Sequence, residues 1–185
     1  QSFVQWLEIV NLDATAGHVW NNDIWLSLDG TVHLIWCEAS MDARLREQFF
    51  LNQDLMYCLK YMTIRDGEVQ TCQTLKQICE QEDGRRPQSA RFHILSDGTL
   101  IILASFVPNT PTSDQVVAYC LAEVPTEATD LNWVDVLFSC PFSGTFLTNT
   151  VRGGSAPSDI IDVVGMSPNK RHTVGYARIR VGLVR

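Results

Sequence analysis

An arginine, a histidine and a carboxylate set close together could do two kinds of chemistry. The planar guanidinium fork pairs a carboxylate bidentately, so arginines in an otherwise acidic chain suit an anionic ligand. A histidine or tyrosine beside them could remove the proton α to the bound carboxylate. Two carboxyl groups at the right separation could instead carry glycoside hydrolysis. The sequence holds candidates for both. His18 and His93 are candidate bases, and Glu38 and Asp42 a candidate acid pair. Trp20, Asn21, Arg46, Arg85, Arg86, Arg91, Asn149 and Arg152 are candidate ligand-binding residues. A solvated loop charge is the competing reading of each charged residue taken alone. Gly153-Gly154-Ser155 beside Arg152 could form an anion-holding backbone nest. The chain carries no phosphate-binding glycine motif and no serine-nucleophile elbow. No cysteine and histidine set has zinc spacing, so neither a metal nor a cofactor is expected.

The totals bound the partners. In 185 residues, 45% are hydrophobic and 19% charged, which is the composition of a folded chain. The net charge of −7 leaves no basic surplus to neutralise phosphates, so nucleic acid is not an expected partner. No apolar run approaches the roughly 20 residues that span a bilayer as a helix, so neither is a membrane. Cys37, Cys58 and Cys120 fall within apolar strand-like runs and read as buried thiols. The chain starts at Gln1, so an upstream segment is expected to have been removed or not included.

The elements that must position these residues recur along the chain. Asp23 to Trp36 and Ala90 to Ala104 each read as an apolar run, an Asp-Gly turn (Asp29-Gly30, Asp97-Gly98) and a second apolar run. Asp-Gly supplies the positive φ of a two-residue hairpin turn, and the flanking β-branched and aromatic residues favour strands. A second marker follows as Tyr57, Tyr119 and Tyr176, spaced near sixty residues, as are the turns. Each repeat therefore reads as four antiparallel strands. The first has strands at about 19–26, 31–37, 54–62 and 69–75, and the second at 90–95, 99–106, 115–124 and 133–138. The third has three, at 145–151, 160–166 and 173–181. Residues 3–10 read as a lone outer strand, Ser40 to Phe50 as a short amphipathic helix, and Gln73 to Glu82 as room for another helical turn. The expected fold is all-β, a β-propeller with about three blades in this chain, at 18–75, 88–140 and 144–182. A β-sandwich is the alternative.

Ser27-Leu28-Asp29-Gly30-Thr31 with Trp36, Ser96-Asp97-Gly98-Thr99 and Asp54 to Tyr57 make the chain resemble the Asp-box, or BNR-repeat, propellers of the sialidase-like superfamily, which includes polysaccharide lyases. The resemblance runs from about residue 18 to 181. It implies a carbohydrate-active protein that acts on or binds an acidic polysaccharide, as glycoside hydrolase or lyase, or else a non-catalytic glycan- or protein-binding module. It implies a secreted or periplasmic setting. The ligand would sit at the end holding the loops 11–18, 38–53, 76–89, 107–114, 139–144 and 166–172, with the Asp-Gly turns opposite and structural. Three blades do not close a ring, so a homodimer or the remainder of a longer propeller chain is the expected partner.

Overall fold

A computed structural model describes residues 7–13, 16–109, 117–124, 131–139, 142–149, 156–167 and 172–182. The chain is all-β, folded as three consecutive antiparallel meanders. The first sheet comprises β1 (His18–Leu26), β2 (Val32–Ala39), β3 (Met56–Arg65) and β4 (Glu68–Cys79), in chain order. The second holds β5 (Arg85–Ile94), β6 (Leu100–Pro108), β7 (Ala118–Glu123) and β8 (Val134–Val136), again in order. The third holds β9 (Phe146–Thr148), β10 (Ile160–Met166) and β11 (Val174–Arg180). These are the blade-like repeats that the turn and tyrosine spacings predict, and stacked sheets of this kind are also compatible with a sandwich. Arg152 and the Gly-Gly-Ser segment lie outside the described residues. So do positions 3–6 of the expected lone strand, and its remainder, 7–10, is not in a strand.

The sheets stack face to face. Ile35, Leu59 and Tyr61 of the first meet Phe92, Ile102 and Phe106 of the second in one core cluster. Alternate residues of the same β6 strand point the other way, so that Ile101 and Leu103 join Phe146, Ile161 and Val163 of the third sheet. The second sheet is thus buried on both faces, which explains why β6 reads as a nearly unbroken apolar run rather than an alternation. Fully burying a side chain such as Phe92 or Ile102 contributes about 1.5–3 kcal/mol.

The turns differ in kind from the expectation. Ser27 N–H donates to the Thr31 carbonyl at 2.9 Å and Gly30 N–H to the Ser27 carbonyl at 3.1 Å, which closes a three-residue loop. Leu95, Gly98 and Thr99 repeat the pattern at 2.9 and 3.0 Å. Only the glycine is left-handed in each, at φ +85° and +90°, which is the type I turn plus glycine bulge, not the two-residue turn. In both loops the aspartate accepts the threonine N–H, Asp29 from Thr31 at 3.0 Å and Asp97 from Thr99 at 2.9 Å. The Ser27 hydroxyl and the Thr31 N–H and hydroxyl bring the Asp29 carboxyl down to about 2. The two-residue geometry falls instead at Asp66-Gly67, where both residues have positive φ.

Helix α1 (Ala43–Phe49) occupies the connection between β2 and β3, capped by Asp42, whose carboxylate accepts the Arg44 N–H at 2.8 Å. Of its expected apolar stripe, Met41 is buried but Phe49 is exposed. The helical turn expected between Gln73 and Glu82 is absent. Cross-strand pairing with β3 holds that polar stretch as strand β4 up to Cys79, overriding the helix-favouring Gln, Lys and Glu.

Candidate functional site

The first strands of the three sheets, β1, β5 and β9, meet through polar contacts. β1 has a bulge between Asn21 and Asp23, so the side chains of Asn22 and Asp23 both turn inward and are buried. There they meet β5, the edge strand of the second sheet. Asn22 Oδ1 accepts the Ala90 N–H at 3.2 Å, and Asp23 Oδ2 the Phe92 N–H at 3.0 Å. Side chains thus satisfy buried edge donors that no strand reaches among the described residues. Arg91 completes the junction, donating from Nη1 to the Asn22 carbonyl and from Nε to the Phe146 carbonyl at 3.1 Å. It spans the first strands of all three sheets.

At the end of the sheets opposite the Asp-Gly turns lies a cleft of about 330 Å³, lined by His18, Trp20, Asp42, Arg44, Tyr57 and Arg86, with apolar Ala39, Met41 and Ala43. The strands bring these residues together by register: His18 faces Ala39 across β1 and β2, and Ala39 faces Tyr57 across β2 and β3. Arg86 comes from the second sheet, its guanidinium 4.7 Å from the centre of the Tyr57 ring. The Trp20 Nε1–H donates to the Gln88 carbonyl at 2.9 Å, which fixes the indole. Asp42 accepts from Arg44 Nη2 at 2.8 Å and pairs with His18 Nε2 at 2.9 Å. Those bonds, Arg44's foremost, hold its carboxyl well below the ordinary carboxylate range. Among the described residues no carboxylate pairs with Arg86, which makes it the cation available to a ligand here.

No protein-family model matches the chain, and neither a curated protein nor a solved structure matches it. The site rests on its own geometry.

Of the expected residues, His18, Trp20, Asp42 and Arg86 share this cleft. The other expected residues that are described lie elsewhere. Glu38 accepts the Trp36 Nε1–H at 3.0 Å and lies 3.7 Å from Lys60 Nζ, so it and Asp42 serve separate partners rather than one acid pair. Arg46 is tied to Glu80, anchoring α1 to the end of β4. Arg85 reaches Asp135 at 3.9 Å on an exposed edge. His93 is buried, with Nε2 2.7 Å from the Ser158 carbonyl. The Asn149 side chain pairs with the β10 backbone, accepting the Asp162 N–H at 2.7 Å. Asn21 and Arg91 border a second cleft of about 410 Å³ with Ile9, Val10, Val19 and Leu34, away from His18. His33 is a packed sheet residue, bonded to the Tyr61 hydroxyl at 2.7 Å.

Two contributors escape a reading by composition. Tyr57 is visible in the sequence as a repeat marker, not as a site residue, and only the stacking of the sheets sets it under Arg86. Gln88 acts through its backbone carbonyl, which no side-chain pattern reveals.

Proposed function

We propose that the chain is a glycan-binding module, and that its ligand is an acidic polysaccharide held at the His18–Trp20–Arg86 cleft. The observation that carries this reading is Arg86: a half-buried guanidinium, oriented by the Tyr57 ring and without a carboxylate partner among the described residues. A guanidinium so placed takes a carboxylate or sulfate bidentately. The fixed Trp20 indole beside it offers an apolar face against which a sugar ring stacks, while its N–H is already satisfied. The resemblance to Asp-box propellers points to the same ligand class. The reading is one of binding rather than hydrolysis, because Asp42 is held ionised by Arg44 and His18 and Glu38 is engaged elsewhere.

Titration with a panel of acidic and neutral polysaccharides, followed by calorimetry, tests it. Binding is expected for acidic members only, weakening as salt rises, and Arg86→Ala is expected to lower affinity at least tenfold, which is the loss of about 1.4 kcal/mol. Arg85→Ala, in the same strand but turned to Asp135, leaves it unchanged. Equal binding of neutral glycans, or indifference to Arg86→Ala, removes the cleft from the reading. The same incubations are read for reducing ends and unsaturated uronate; either product would replace binding with hydrolase or lyase action.

A further inference from the structure

The three repeats do not bury the same faces. Tyr57 lies beneath Arg86 of the second sheet, and Tyr119 is buried between the second and third, its hydroxyl donating to the Phe142 carbonyl at 2.8 Å. Tyr176, third in the series, stands 61% exposed on the outward face of the third sheet. Around it lie Leu147, Val164, Met166 and Val174, all exposed, joined by direct cross-strand pairing of Val164 with Leu147 and Tyr176 and of Met166 with Val174. Large apolar side chains clustered on one sheet face mark a surface that something covers. A second observation concerns the edge. In the first and second sheets a fourth strand, β4 or β8, flanks the third, whereas β11 has no strand on that side among the described residues.

The two contacts already formed show how such a face is covered within this chain. In each, the covering surface is the opposite face of a neighbouring sheet: Ile102 and Phe106 on the first sheet, Ile161 and Val163 on the second. The position in the first sheet that corresponds to Ile102 is Leu34, five residues after Asp29 as Ile102 is after Asp97. Ile9 and Val10 border the cleft beside Leu34, yet Ile24 and Leu26 remain 57% and 63% exposed. That outward face of the first sheet has no sheet upon it among the described residues.

We infer that the outward face of the third sheet, Leu147–Val164–Tyr176 with Met166 and Val174, docks onto the outward face of the first sheet of a second copy of this chain. Both ends of the repeated contact are present on one molecule, so the contact is head-to-tail. Formed reciprocally by two copies it closes a ring of six sheets, within the usual range of 4–8 for propellers.

Sedimentation velocity of the 185-residue chain at micromolar concentration tests this. The expected species has twice the 20.8 kDa of the monomer. Val174→Glu and Ile24→Glu each return it to monomer, and mixing the two variants restores a dimer through the one contact left unsubstituted. Both positions are exposed, and the urea midpoint reports that each variant is folded; Tyr176→Glu and Leu26→Glu form a second pair should either fail to fold. A monomeric wild-type chain overturns the proposal. So does loss of the dimer in Val174→Glu but not in Ile24→Glu, which would mean two third sheets meeting face to face.

Discussion

The Asp23 carboxylate accepts the backbone N–H of Phe92 at 3.0 Å, a side chain of one sheet standing where a strand partner would stand for the next. Asn22 does the same for Ala90 at 3.2 Å. Without these acceptors, the edge of β5 would bury two unpaired donors. Asp23→Ala is therefore expected to lower stability by about 1–3 kcal/mol, the desolvation of an orphaned donor. Asp23→Asn keeps an acceptor oxygen and is expected to lose less. Urea unfolding of the three proteins checks the order; equal loss in both variants would point to charge rather than hydrogen bonding.

The two Asp-Gly loops make a matched pair. Gly30 and Gly98 have φ of +85° and +90°, and a Cβ at either would meet nothing within 4 Å. Substitution by alanine therefore carries a backbone cost and no steric one, about 1–2 kcal/mol for a left-handed residue. Gly30→Ala and Gly98→Ala should shift the unfolding midpoint by similar amounts. Gly182→Ala, also in open space but without a positive φ, should shift it little.

Burial lowers the titration of both His33 and His93 below the ordinary 6.5. The unfolded chain then takes up these protons first as pH falls. The histidines' contribution is fully present above about 6.5 and is lost as pH drops through the lower folded values. Urea midpoints at about pH 7.5 and pH 5.5 should differ, with the lower pH less stable, and His93→Gln should narrow the gap.

On the proposed reading Tyr57 positions Arg86 rather than touching the ligand. Tyr57→Phe keeps the aromatic face beneath Arg86 and is expected to leave acidic-glycan affinity unchanged. Tyr57→Ala removes a contact of about 0.5–1 kcal/mol, and affinity should fall by roughly two- to fivefold. Calorimetric titration separates the two; a loss in Tyr57→Phe would mean that the hydroxyl itself touches the ligand.

Much of the architecture can be read from residue order because two markers, the Asp-Gly loop and the tyrosine, recur at one period. Strand alternation around them also reports which side chains share a face. The bulge in β1 is where that reading fails. An alternation counted from Asn21 places it inward with Asp23, but the extra residue turns Asn22 inward and leaves Asn21 exposed. β5 begins earlier than its apolar run, since a register shift beside Pro87 carries the strand back to Arg85. That extension sets Arg86 in a strand rather than a loop. Four of the nine residues that line the cleft were legible: His18, Trp20, Asp42 and Arg86. Which of the remaining charges are engaged by partners, as Glu38 and Arg46 are, depends on neighbours remote in sequence.

Arg91 reaches the Asn22 carbonyl across 69 residues of chain and the Phe146 carbonyl across 55. Each bond needs two of the sheets side by side and the complete clamp needs all three, which places its completion late in folding. Interactions that are absent from the rate-limiting barrier act on escape from the native state rather than on arrival. Arg91→Ala should accordingly quicken unfolding while leaving the refolding rate nearly unchanged. The junction that joins the sheets serves as a brake on their coming apart.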